Sequence, residues 1–356
     1  MGKKSIAIGV GMGVILLMVL LSTPGTAAEP FKPVTLKYST YVTQTSWHGE
    51  LHQWWGNEVE KRTGGKVKIQ NFWMESLTKH KDGLPSVQSG MCDLTWLSST
   101  YHPSYLPLFL ITDNPFNFGN DYVASVLAIL DTMEKEPNLK AELERENIIQ
   151  MMPHISGHTQ LASKKCFASL ADLKGKTLRT YGGGRAKYYE NLGANPIFMP
   201  YPEIYEAVDR GTISAYDCAV VLSHGFKHYE VTKCILLTNG GGALASGVFM
   251  NRKTFKTLPG DVQKTLLDLR KEYGMKMAQK QMDDEAKFFK EWNTKYNVTL
   301  KPLSPEDQKT NLEAGKQAQD YLLKKQESEG HGAVRKVWDY YMAARKKYED
   351  ERAKKN

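Results

Sequence analysis

Residues 172–221 read DLKGKTLRTYGGGRAKYYENLGANPIFMPYPEIYEAVDRGTISAYDCAVV. From Lys176 to Tyr181 the run alternates like a strand, and three glycines, Gly182 to Gly184, then free the chain to turn. A helix is expected from about Gly184 to Leu192, an extended piece at Pro196–Met199, and a second helix from Pro202 to Val208 closed by Gly211. Ser214 to Val221 reads as a further strand. Strand and helix in alternation is the rhythm of an α/β lobe, with helices covering the faces of a sheet.

The same rhythm occupies the first hundred residues. Val34–Ser39 alternates apolar and polar residues, Leu51, Trp55 and Val59 recur at helical spacing, and Thr63-Gly64-Gly65 supplies the residues that stop a helix. Lys66–Gln70 and Asp93–Leu97 follow as strands. Between Asp261 and Tyr296 there is no proline and a single glycine, Gly274, so one helix is expected there. At ~1.5 Å per residue it is long enough to cross from one lobe to another. Ser304-Pro305 opens a further helix, Gly330-His331-Gly332 separates it from a last one, and the charged tail beyond Ala343 is expected to fray.

The first residues, MGKKSIAIGVGMGVILLMVLLSTPGTAAEP, order two lysines, an apolar run and small residues as a cleaved secretory signal does, with the cut near Ala27 or Ala28. The formal charge is +8, and loss of Lys3 and Lys4 leaves about +6, with basic and acidic residues intermixed. No nucleic-acid partner is expected. Cys92, Cys166, Cys218 and Cys234 have no CxxC spacing, and their pairing cannot be read.

Several chemistries are poorly served. The glycine run lacks both the GxxxxGK[ST] and the GxGxxG spacing that aims backbone N–H groups at phosphate. His48/His52, His154/His158 and His224/His228 stand four apart, as zinc ligands on a helix would, but no HExxH order accompanies them and Pro153 and Gly157 interrupt the middle pair. No GxSxG elbow occurs. Neither a metal, a cofactor nor an enzymatic activity is expected. Open α/β sheets bind ligands beyond the carboxyl ends of their strands, which singles out Tyr41, Trp73 and Ser98, with Tyr101 just beyond.

EVEKRTGGKV at 58–67, VQSGMCDL at 87–94, Asn114-Pro115-Phe116 and, above all, the run from Asp172 to Asp217 resemble motifs of TRAP-transporter solute receptors, the DctP-type periplasmic binding proteins. The resemblance implies a two-lobe architecture with mixed sheets and a long helix crossing both lobes. It implies a signal peptide at 1–28, one lobe from 29–155 plus about 240–285, a second from 156–239 plus about 286–345, and a tail at 346–356. It further implies a monomer in the periplasm that binds a small organic acid between its lobes and delivers it to membrane permease subunits. A receptor that reports its ligand to a sensor kinase is the alternative, and a zinc-binding protein a more distant one. Arg179 matches the family's carboxylate-binding arginine, Tyr201 an aromatic position beside the ligand, and Asp217 an acidic one that could orient Arg179 or meet a ligand group. Cys218 stands where relatives have asparagine, and Thr159 where dicarboxylate receptors carry a second arginine. One carboxylate on an apolar or aromatic body, walled by Tyr201, Trp73 and Tyr101, is the ligand these departures suggest.

Overall fold

The computed structural model describes residues 1–2 and 31–354, so the cleavage site and apolar run of the expected signal lie outside the described residues. Eleven strands are described: β1 (Val34–Ser39), β2 (Val67–Phe72), β3 (Leu94–Ser98), β4 (Ile148–Pro153), β5 (Gln160–Ser163), β6 (Thr177–Thr180), β7 (Asn195–Phe198), β8 (Ala215–Cys218), β9 (Cys234–Leu237), β10 (Ser246–Asn251) and β11 (Thr299–Pro302). They form two mixed sheets, ordered β2-β1-β3-β10-β4 and β11-β9-β5-β8-β6-β7. In the first, β1 pairs parallel with β2 and β3, and β10 runs antiparallel to β3 and β4. In the second, β8, β6 and β7 are parallel neighbours, and β5 lies antiparallel between β8 and β9. The strand that makes the first sheet mixed, β10, belongs to chain returning from the second lobe.

Helices cover both sheets for legible reasons. Trp47–Arg62 starts where the Ser46 hydroxyl accepts the Gly49 N–H at 3.1 Å, and buries Trp55 and Val59 completely. Such burial contributes about 1.5–3 kcal/mol for each large side chain. Beside the second sheet, Leu161, Leu178 and Ala215 share a core with Tyr188 and Tyr189 of helix Gly183–Asn191 and with Ala314 and Ala318 of helix Pro305–Ser328. The expected long helix is one element of 37 residues, Gly260–Tyr296. It buries Leu266, Tyr273 and Met277 in its first half, while Trp292 near its far end donates to His224 Nδ1 at 3.2 Å. A Cβ on Gly274 would lie 2.7 Å from Pro153 and 2.8 Å from Val126, so the glycine marks where this helix meets the first lobe most closely. Two further segments, 154–159 and 238–245, also pass between the lobes.

Two expectations are corrected. Val220 and Val221 belong to a short helix, Val220–Gly225, because β8 ends at Cys218. The charged tail continues as helix Val334–Ala353: Val337, Trp338, Tyr341 and Ala344 form its buried stripe, Arg345 donates to the Asn117 carbonyl at 2.8 Å, and Arg352 pairs with Asp121 at 2.6 Å. Of the cysteines, Cys166 and Cys234 form a disulfide, and Cys92 and Cys218 are buried thiols. No described helix is long and apolar enough to cross a membrane.

Candidate ligand-binding site

A cavity of about 60 Å³ lies between the sheets, and strand ends from both lobes line it. Tyr41 follows β1, Trp96 and Ser98 belong to β3, and Tyr101 stands in the turn after it. Arg179 comes from β6, Tyr181 from just beyond β6, and Asp217 from β8. Ser156, Thr159 and Ala243 come from the segments that connect the lobes. The carboxyl ends of β1, β3, β6 and β8 thus converge on one space, as the rule for open α/β sheets requires.

Arg179 is 1% exposed. Its Nε–H donates to the Met199 carbonyl at 2.8 Å, and its guanidinium carbon lies 5.1 Å from the Tyr201 ring. No carboxylate of the described residues is within ion-pair distance of it, and the Tyr181 and Ser246 hydroxyls on the same wall also lack partners. The Tyr201 hydroxyl shares a 2.5 Å bond with Ser223, and the Tyr101 hydroxyl lies 3.4 Å from the Tyr201 nitrogen. Burial raises the pKa of the Tyr101 phenol, against the pull of the Arg179 cation. Tyr41, His80 and Tyr101 form a continuous aromatic wall, with ring centres 4.1 and 4.5 Å apart.

The imidazoles here are neutral. Burial, then His102 and Arg179, hold His80 down at about 3, and burial with His48 and His52 keeps His154 well below the usual histidine range. His48 and His52 turn inward from one helix and meet His154 around Trp96, with ring centres 5.4 Å apart for His48 and His154. His158 instead packs on Phe118 and Tyr122. Among the described residues no group of three histidine, cysteine or acidic side chains is arranged to hold a metal ion.

Of the eight residues singled out in the sequence, Arg179, Tyr201, Asp217, Ser98, Tyr101 and Tyr41 line this cavity, and Trp73 and Cys218 do not. Trp73 follows β2, the outer edge of its sheet, and so stands half-buried beyond the cleft. Trp73→Ala is expected to leave ligand affinity within ~2-fold of wild type by calorimetry, since rim contacts contribute little. Cys218 follows Asp217 on β8 and shares the Arg179 side of the sheet, but its thiol lies 3.4 Å from Ser223, whose hydroxyl is bonded to Tyr201, and burial pushes the thiol up to about 12. Asp217 does not orient Arg179. Its carboxylate accepts from Arg185 at 2.7 Å, Tyr189 at 2.6 Å and Thr180 at 2.8 Å. Arg185, wholly buried, was not legible as part of the site, and neither were His80, His154 or Ser246.

A family model described as bacterial extracellular solute-binding protein, family 7 (DctP), matches residues 38–326. A solute-binding protein of Verminephrobacter eiseniae is 28% identical over 261 residues, covering 70% of this chain and 74% of its own. The C4-dicarboxylate-binding periplasmic protein DctP of Rhodobacter capsulatus is 25% identical over 258 residues, 72% of this chain and 75% of its own. Among solved structures, a TRAP solute-binding protein of Rhodoferax ferrireducens in complex with copurified benzoate superposes with a TM-score of 0.78 at 20% identity, over 89% of this chain and 99% of the other. The two mixed sheets with their helices have the fold of that structure. Because the family model runs from β1 to the helix Pro305–Ser328, the chain belongs to the DctP family of extracellular solute-binding proteins, which are receptors and not enzymes.

Proposed function

We propose that this chain is the periplasmic receptor of a TRAP-type uptake system, that it captures one compact organic monocarboxylate between its lobes, and that it presents it to membrane permease subunits. Arg179 carries the reading. A guanidinium buried in an inter-lobe cavity without an acidic partner is costly unless an anion joins it. Its planar fork suits the two oxygens of a carboxylate. Tyr41, Tyr101 and Tyr201 cover the rest of the ligand, and closure of the lobes is favoured to the extent that the ligand binds the closed form better.

Size narrows the class. A cavity of about 60 Å³ is smaller than the ~150 Å³ in which benzene is known to be held, which favours a compact acid over an aromatic one. The relatives' ligands, benzoate for one and a C4-dicarboxylate for another, span both sides of the question. Thr159, an uncharged residue on the cavity wall, supports one carboxylate rather than two. Mass spectrometry of small molecules released by denaturing freshly purified protein tests this reading. A monocarboxylate of a few carbons is expected, and recovery of a dicarboxylate or of an aromatic acid would refute it.

A further inference from the structure

A second guanidinium lies directly behind the cavity wall. Arg185 enters from helix Gly183–Asn191, whose first turn is shaped by the glycines that opened the sequence reading. Gly182 and Gly183 have φ of 91° and 57°, in the left-handed region, and a Cβ on Gly184 would lie 2.5 Å from Asn114 Oδ1. The helix start is thereby pressed against the other lobe, and Arg185 turns inward. Its Nη1 donates to the Gly240 carbonyl at 2.7 Å, and its Nη2 to Thr159 Oγ1 at 2.6 Å and Asp217 Oδ1 at 2.7 Å. Both Thr159 and Asp217 line the cavity, so one layer of side chain separates this cation from the ligand space. The rings of Tyr181, Tyr188 and Tyr189 enclose it within 6 Å, and its Nε has no partner.

We propose that Asp217 masks Arg185, and that this buried pair sets the receptor's capacity at a single carboxylate. The inference rests on the reading that Arg179 holds a carboxylate. Charges around the cavity sum accordingly: Arg179 is positive, Arg185 and Asp217 cancel, and the neighbouring imidazoles of His80 and His154 are neutral. Asp113 lies outside the cavity lining, with its carboxyl turned to the N–H groups of Leu244 and Ala245, and burial raises it to about 7, so it carries only part of a charge near neutral pH. One net positive charge matches one carboxylate. Replacing Asp217 by asparagine keeps the shape and leaves two positive charges, Arg179 in the cavity and Arg185 behind Thr159. A second carboxylate reaching the Thr159 side would then find a cation where the wild type offers none.

The test is a calorimetric comparison of matched acids. A thermal-shift screen of C2–C8 monocarboxylates identifies binders, and each binder is paired with the analogue carrying one more carboxylate, such as propionate with succinate, lactate with malate, or benzoate with phthalate. Wild type is expected to prefer the monocarboxylate in every pair. Asp217→Asn is expected to shift that preference toward the dicarboxylate by at least ~10-fold, the size of one charge acting over roughly 8 Å at an effective dielectric near 20. An unchanged ratio in a folded Asp217→Asn protein would overturn the proposal. If that variant does not fold, Arg185→Gln decides: alone it unmasks the Asp217 carboxylate and lowers monocarboxylate affinity at least ~10-fold, and adding Asp217→Asn restores it to within ~3-fold. Equal losses in the single and double variants would show a structural role only and overturn the proposal. A wild type that binds none of the monocarboxylates overturns the Arg179 reading beneath it, which is a different result from an unchanged ratio.

Discussion

Arg179→Ala is expected to lower the affinity for the captured acid by at least ~100-fold while leaving the empty protein as stable as wild type, or more so. Hydrogen bonds to charged groups contribute about 1.5–3 kcal/mol each, so the loss of a two-pronged contact amounts to roughly 3–6 kcal/mol, and a factor of 100 is the conservative end. Stability moves the other way because this cation is buried without an acidic partner among the described residues and bonds to the Met199 carbonyl through Nε. Removing an uncompensated buried charge relieves a desolvation cost. Opposite signs in the two measurements are what separate a ligand anchor from a structural arginine, whose loss would lower both. Arg179→Lys should fall between, since an ammonium keeps the charge and loses the fork. Calorimetry with the acid recovered from the purified protein, together with urea unfolding of the empty variants, gives both numbers. Wild-type affinity in Arg179→Ala, or a fall in stability of several kcal/mol, would remove Arg179 from its assigned role.

Much of the fold was legible because local signals and tertiary packing agree. Val34–Ser39 is a strand at the residues its alternation marks, and the proline-free run from Asp261 to Tyr296 is one helix. Strands β4, β9 and β10 went unread for a physical reason. They are buried on both faces, as in Ser246–Asn251, so apolar and polar residues do not alternate along them and the period of two is absent. The helical tail went unread because its charges are not all solvated; Arg345 and Arg352 dock on the segment 117–121.

The site divides similarly. Residues at strand ends could be found from the strands themselves, and Trp73 misled because the order of strands, which puts β2 at the edge, is a tertiary fact. Cys218 is different: it lies on the Arg179 side of the sheet, and only tertiary packing turns its thiol onto Ser223, whose hydroxyl holds that of Tyr201. Arg185 was hidden because nothing local distinguishes an arginine in a first helical turn that points to solvent from one that points inward. Only the packing of Gly184 on Asn114 and the cluster of three tyrosines decides it.

Acid should unfold this protein steeply between pH 6.5 and about 4.5. Burial holds His48, His80 and His228 down at about 3 and His102 and His158 at about 4, and keeps His52 and His154 well below the usual range. An imidazole whose pKa is depressed by folding is neutral in the fold and charged in the unfolded chain, so its contribution is present above about 6.5 and is lost progressively as pH falls from there toward its folded value of about 3 to 4. Three buried carboxyls oppose this: burial pushes Asp113, Glu142 and Glu285 up to about 7, so they take up protons in the fold before they would in the unfolded chain. Seven imidazoles outweigh three carboxyls. Near pH 5 unfolding then takes up about four protons net, and stability falls by roughly 5 kcal/mol per pH unit, which is comparable to the whole ~5–15 kcal/mol of a typical domain. Urea unfolding followed at pH 7.5, 6.5 and 5.5 measures the slope directly, and a midpoint that holds or rises on acidification would show that the carboxyls win. His228 offers an internal check, because both its ring nitrogens are buried without partners and its ring stacks on Tyr201 at 5.4 Å. His228→Phe keeps the stacking and deletes one titrating group, so it should reduce the proton uptake by about one and flatten the acid limb without loss of stability at pH 7.5.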